Sequence, residues 1–396
     1  MTRPIAGFRY SGVAAGIKTD GSLDLGLIAA DEPVAAAGVF TQNLVRAAPV
    51  LVSERRLKAG RSQAILVNSG NANACTGKDG HRNAIGLTRA LSKSLGVPSG
   101  MVLPASTGVI GVQLPAPTIE AAIPALVDGL SDDGASTFAR SIMTTDRGPK
   151  LAEASVTLSG KRCRLLGIAK GAGMIHPDMA TTLAFVTTDA DVSPKVLRSL
   201  LVRASERTFN RASVDGDTST NDSIYALASG AAGNRGLPAR GTMADKFEQA
   251  LVDVLEPLAK MIVADGEGAE HLVRIEVRGA RTDQDAVQVA RTVAGSQLVK
   301  TAIHGADPNW GRILAAAGRA GVRFNPDHTT IRIGSVRIFA EGRPTMPLST
   351  EKRAIRVMQR TEYEIRIDLG RGRGLGHYWT CDLGHEYVRI NADYRT

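Results

Sequence analysis

Residues 170–185 read KGAGMIHPDMATTLAF. Gly171 and Gly173 allow positive φ and close backbone approach, and Pro177 restricts the turn, so the first half of this stretch is a loop. The loop delivers the chain to two threonines, Thr181 and Thr182, at the head of the apolar run LAFVTT (183–188). A run without polar alternation predicts a strand buried on both faces. QAILVNSG (63–70) carries the same signal.

Outward from these two runs, ASVTLSG (154–160), HLVRIEVRG (271–279), TIRIGSVRIFA (330–340) and EIRIDLG (364–370) also read as strands. HLVRIEVRG and EIRIDL alternate apolar with charged residues, which marks strands wet on one face. Helical patterning covers 82–95, 118–130, 194–208, 242–264 and 283–296. Ser193 can cap the third of these, with Pro194 at its first position. Pro257 predicts a kink or break near Leu255 in the fourth. GRGRGLG (370–376) reads as a hairpin loop joining two strand-like runs. Strand and helix alternate irregularly, without internal repeats or low-complexity tracts, which predicts a layered α/β fold.

The 396 residues suffice for two or three domains or one large duplicated unit. Hydrophobic residues make up 43% and charged residues 22%, ordinary values for a globular core. Aromatics are only 4%, too few for a stacking surface for carbohydrate or single-stranded nucleic acid. The net charge of +9 is spread along the chain, which argues against nucleic acid and suits small carboxylate substrates. Cys75, Cys163 and Cys381 form no CxxC pair, so neither a zinc site nor a disulfide framework is expected. No signal peptide or membrane span is expected either, and the expected compartment is the cytoplasm.

The seven histidines show no HExxH or His-x-His spacing, and no GxSxG, GxxxxGK[ST] or strand-borne GxGxxG is present. VDGDTSTND (214–222) has three aspartates but not the spacing of a calcium loop, and reads as a polar turn. The threonine pair remains. Threonine is a weak nucleophile unless a base adjoins it, and an N-terminal threonine carries one in its own α-amine. An internal threonine gains that amine only if the preceding peptide bond is cut. Ala180 is small, which leaves its carbonyl open to the Thr181 hydroxyl. An N-to-O acyl shift and ester hydrolysis would then free Thr181. The residue types alone also allow a plain loop entering a buried strand, and that is the commoner case.

The wording of the sequence decides between the two. KGAGMIHPDMATTLAF resembles the self-cleaving segment of the ornithine acetyltransferases, the glutamate N-acetyltransferase family of arginine biosynthesis. NSGNANACTG (68–77), PASTGVIG (104–111), IMTTDRGPK (142–150), VDGDTSTNDS (214–223), DGEGAE (265–270), SQLVKTAIHGADPNWGR (296–312) and EYVRINADYRT (386–396) extend the match along the chain in the family's order.

The resemblance implies a layered α/β sandwich of the DmpA/ArgJ-like type, built from two fragments, 1–180 and 181–396. It implies cleavage between Ala180 and Thr181, Thr181 as nucleophile, and Thr107 and Gly108 as the oxyanion hole. Thr144, Lys170, Thr181, Glu267, Asn391 and Thr396 align with substrate-contacting positions. Lys170 suits a substrate carboxylate and Glu267 a substrate ammonium, an assignment that chemistry alone would let us exchange. The position after the nucleophile is often methionine in this family and is Thr182 here. Ala180 and the register still favour the bond before Thr181. The implied reaction moves acetyl from N2-acetylornithine to glutamate through an acetyl-threonine ester, with no metal or organic cofactor. Some members also use acetyl-CoA, and the implied assembly is an α2β2 heterotetramer. Two rivals are a self-cleaving aminopeptidase of related architecture and a non-catalytic binding protein on the same fold.

Overall fold

The computed structural model describes residues 3–176 and 182–393. Fifteen strands among them, numbered in chain order, form two sheets. The first holds β1 (Phe8–Val13), β2 (Leu25–Phe40), β3 (Arg61–Asn71), β4 (Val102–Val109), β5 (Lys150–Leu158), β6 (Lys161–Lys170), β7 (Leu183–Thr188) and β9 (Ser223–Ala228). Its order is β4-β3-β2-β9-β7-β6-β5, with β1 also paired to β2. The second holds β8 (Ala212–Ser213), β10 (Leu272–Ala280), β11 (Thr330–Ile333), β12 (Val336–Ala340), β13 (Arg343–Pro344), β14 (Glu362–Asp368) and β15 (Gly374–Cys381). There the order is β13-β12-β11-β14-β10-β15-β8.

The run LAFVTT is β7, paired parallel to β9 and antiparallel to β6, with every residue buried. Its alternate side chains enter two different cores, which is why the sequence shows no polar alternation. Leu183 and Phe185 join Tyr225, Ile65 and Phe138 on one face, which carries the helix Ala135–Ser141. Phe185 stacks on Tyr225 with centroids 5.5 Å apart and meets Phe138 edge-on at 5.3 Å. Ala184 and Val186 pack on the other face against the helices Pro194–Arg207 and Thr242–Ala264. The long helix also meets Leu272, Trp379 and Cys381 of the second sheet, so it lies between the sheets. The helices Asp283–Ala294, Trp310–Gly318 and Leu348–Met358 cover the second sheet's remaining apolar face. Among the described residues no helix is long and apolar enough to cross a membrane.

β2 is long, and its pairing slips between Ala29 and Val34, around the exposed Asp31 and Glu32. A bulge there bends the strand and coils the sheet. The coiling is large enough that Tyr225 Oη of β9 donates to the Pro104 carbonyl of β4 at 3.2 Å, although two strands separate them in the sheet. The end of β4 therefore comes to the start of β9, and the candidate site forms at that closure.

Four local expectations are corrected. The helix Thr242–Ala264 runs unbroken through Pro257. The carbonyl that Pro257 leaves unpaired belongs to Asp253, an exposed residue, while Leu251, Leu255, Leu258 and Ile262 stay locked in the core. Pro194 does open its helix, but Ser193 is extended and makes no side-chain cap. TIRIGSVRIFA is two strands, β11 and β12, turning at Gly334 (φ +55°). Finally, residues 370–376 do not close a hairpin. β14 and β15 flank β10 on opposite sides, so this segment passes over the end of β10. Glycine suits that passage, since a Cβ on Gly372 would lie 2.4 Å from the Ala280 carbonyl oxygen.

Candidate active site

The ends of β4 and β6 and the starts of β7 and β9 border one cavity of about 220 Å³. Thr107 and Gly108 lie at the end of β4, where the pairing with β3 becomes irregular after Gly70. Gly108 has φ +131°, and a Cβ there would sit 2.3 Å from the Gly70 carbonyl carbon. Only glycine fits the position. Asn221 seals the junction by donating to the carbonyls of Ala72 at 2.6 Å and Ser106 at 2.8 Å.

Lys170 ends β6 and is buried, so it is not a solvated loop charge. Its Nζ donates to Thr144 Oγ1 at 2.6 Å and Thr107 Oγ1 at 3.2 Å. An ammonium only donates, so both hydroxyl oxygens act as acceptors and their protons remain available elsewhere. Burial pushes the Lys170 ammonium below its ordinary range, and the Asp146 carboxylate 4.0 Å away opposes that shift. Asp146 is itself penalised by burial, but Lys170, Lys150 and donated hydrogen bonds hold it down at about 2.

The KGAG turn is built for close approaches. Gly171 (φ +152°) donates its N–H to Asp146 Oδ1 at 2.7 Å. A Cβ on Gly173 would lie 2.4 Å from Glu267 Oε2, so this glycine makes room for that carboxylate. The Met174 and Ile175 N–H groups donate to the Asp215 carboxylate at 2.6 and 2.8 Å. Past the turn, Thr182 is buried, its hydroxyl donates to the Lys170 carbonyl, and its carbonyl accepts from Ser223 N–H at 2.8 Å.

Glu267 follows the long helix, half-buried, with its N–H donating to the Ala172 carbonyl at 3.0 Å. Asn391, on the terminal helix His385–Asp393, donates to Glu267 Oε2 at 2.9 Å. The structure thus brings Thr107, Gly108, Thr144, Lys170, Glu267 and Asn391 around one cavity. Ala180, Thr181 and Thr396 lie outside the described residues.

Several groups here were not singled out by sequence reasoning. Asp215 and Asp222 belong to the stretch read as a polar turn, yet both border the cavity. Asp222 is fully buried, accepts from Ser219 N–H at 3.0 Å, and is pushed far above the usual carboxylate range by burial. Among the described residues no grouping of three or more acidic, histidine or cysteine side chains is placed to hold a metal. Asp146 and Lys150 sit inside the quoted word IMTTDRGPK, but nothing in an Asp and a Lys four residues apart signals burial.

The family model and the named relatives cover nearly the whole chain. The model of the ArgJ family matches residues 9–396. A protein of Parasynechococcus marenigrum named "Arginine biosynthesis bifunctional protein ArgJ" is 46% identical over 98% of this chain and 94% of its own length. One of the same name from Desulfotalea psychrophila is 48% identical over 99% of this chain and all of its own. A solved structure of the Bacillus halodurans protein of that name is 44% identical with a TM-score of 0.51, over 53% of this chain and 98% of the solved one. On this evidence of sequence and shape, the chain belongs to the ArgJ family.

Proposed function

We propose that the protein is a glutamate N-acetyltransferase of arginine biosynthesis, which moves acetyl from N2-acetylornithine to glutamate after cutting itself between Ala180 and Thr181. The observation that carries the reading is the gathering of Thr107, Gly108, Thr144, Lys170, Glu267 and Asn391 around the cavity that also exposes the start of β7.

Thr182, the residue that follows the proposed nucleophile in sequence, lines the cavity. Thr182 is the poorer candidate because its hydroxyl is already donated to the Lys170 carbonyl. In the proposed mechanism the Thr181 amine takes the hydroxyl proton as the oxygen attacks the acetyl carbonyl. The Gly108 N–H and the Thr107 hydroxyl, whose oxygen accepts from Lys170, stabilise the oxyanion. The amine then returns the proton to the leaving ornithine, and glutamate attacks the acetyl-threonine ester in the second half. Lys170 holds the α-carboxylate of either substrate, and Glu267 the side-chain ammonium of ornithine, with Asn391 steadying Glu267. Thr396 is assigned to the substrate as well. Acetyl-CoA as an additional donor would enter through the same acetyl-Thr181 ester.

Segments 1–180 and 181–396 share the first sheet. The β6–β7 and β2–β9 ladders both join a strand of one to a strand of the other. Cleavage therefore leaves the fragments hydrogen-bonded, and we assign the native particle as α2β2. The test is intact mass of the denatured protein beside an exchange assay with acetylornithine and glutamate. Fragments 1–180 and 181–396 with glutamate-dependent transfer are expected, and Thr181→Ala should yield one uncut, inactive chain. Acetate release without glutamate would instead mark a hydrolase, and an uncut wild-type chain would mark a binding protein.

A further inference from the structure

Behind Lys170 lies a row of buried charges to which the proposed reaction assigns no part. The Asp146 side chain has no exposed surface. Its Oδ1 accepts from Gly171 N–H at 2.7 Å and Lys150 Nζ at 2.6 Å, and its Oδ2 accepts from Thr144 N–H at 2.9 Å. Lys170 Nζ stands 4.0 Å from Oδ2. Lys150, also buried, reaches across to Asp265 Oδ2 at 2.5 Å, and Asp265 additionally accepts from Arg147 N–H at 3.0 Å. Asp265 opens the DGEGAE word that contains Glu267. One carboxylate thus touches the backbone on either side of Lys170's contacts, and one ammonium links it to the segment bearing Glu267.

We propose that Asp146 and Lys150 are a positioning pair that fixes the place and charge of Lys170 and ties it to the loop carrying Glu267. The proposal rests on the reading of Lys170 as the carboxylate-holding group. A buried carboxylate bonded to two backbone N–H groups and a lysine is costly unless each bond is kept, so the pair holds the Thr144 and Gly171 backbones rigidly.

The charge logic gives a sign. Lys170 is faced by Asp146 and Lys150 from the segment 144–150, by Asp222 at the start of β9, by Glu267 after the long helix, and by Lys18 from the β1–β2 connection. Burial lowers its affinity for a proton, Asp146 raises it, and Lys150 lowers it. Lys170 must be protonated to hold a carboxylate, so kcat/KM falls as pH rises through its pKa. Asp146→Asn removes the supporting charge and leaves Lys150 repelling Lys170. Lys150→Met does the reverse.

The experiment is the pH profile of kcat/KM for acetyl exchange between acetylornithine and glutamate, with the folded state of each variant checked by circular dichroism. Asp146→Asn should move the basic limb to lower pH by about one unit or more, the size of shift that an opposite charge at this range produces. Lys150→Met should move it to higher pH, and the double variant should return it toward the wild-type position. If Asp146→Asn does not accumulate, Lys150→Met carries the same test with the opposite sign. Variants that lose rate equally at every pH, with the limb in place, would overturn the positioning pair alone. A wild-type protein without exchange activity would overturn the functional reading, and this inference with it.

Discussion

Lys170 and Glu267 face the same cavity, but they are held by opposite means. Lys170 ends a strand whose ladder pairs it with Leu183, and its ammonium is fixed by two threonine hydroxyls above a buried ion row. Glu267 sits in a loop, half-buried, and the partner of its carboxylate is Asn391, exposed on a terminal helix that has no buried residue. A cation fixed this way cannot shift without breaking its hydrogen bonds to Thr144 and Thr107. A carboxylate held by a loop and a surface helix can adjust at the cost of one exposed hydrogen bond. Under the proposed function, the two ends of the cavity would suit two substrates that share an α-carboxylate and differ at the side chain.

If the rigid half is as fixed as its geometry indicates, damage there should be severe. The largest effect is expected for Gly108→Ala. The new Cβ would meet the Gly70 backbone at 2.3 Å in a φ of +131°, so the end of β4 must move. In the proposed mechanism both self-cleavage and transfer use the oxyanion donor assigned to that position, and losing one such donor alone costs about 10²–10³ in kcat. An uncut chain on denaturing mass analysis and no measurable exchange are expected. A cut and active Gly108→Ala protein would mean that β4 is not part of the rigid half.

Lys170→Met comes next. Truncating one partner of a buried, hydrogen-bonded charge pair costs about 2–5 kcal/mol. The expected result is a fall in kcat/KM of about two orders of magnitude or more, appearing as a raised KM for both acetylornithine and glutamate, since both carry the α-carboxylate. A loss confined to one substrate would show that Lys170 reads the side chain instead, and would exchange the roles of Lys170 and Glu267.

The same contrast governs what could be read from sequence. The run LAFVTT and the helix 242–264 were legible to the residue, because continuous burial and a 3.6-residue apolar stripe are local signals. β2 was not, since its strand is interrupted by Asp31, Glu32 and Pro33 and is otherwise rich in alanine, a weak strand former. The passage over β10 at 370–376 looked like a hairpin because strand order is not a local property. The site was reached through the family's words. Its residues span 107 to 391, and only the coiling of the first sheet and the docking of the last helix bring them together. Asp146, Lys150 and Asp222 stayed hidden for a related reason: polar residues in loops read as solvated, and tertiary packing alone makes them buried.

The adjustable half predicts the smallest effect. Asn391 reaches Glu267 from solvent, and its amide also donates to the Tyr387 carbonyl one helical turn back, at 3.0 Å. An exposed neutral hydrogen bond contributes only about 0.5–1.5 kcal/mol. Asn391→Ala should therefore raise KM for acetylornithine by about three- to tenfold and leave kcat and self-cleavage nearly unchanged. Glutamate has no side-chain ammonium for Glu267 to hold, so its KM should change less. That asymmetry is the sharper readout, because a general loosening of the terminal helix would affect both substrates alike. A loss as large as that of Lys170→Met would mean that the terminal helix is as rigid a wall as the sheet, and the distinction between the two halves of the cavity would fail.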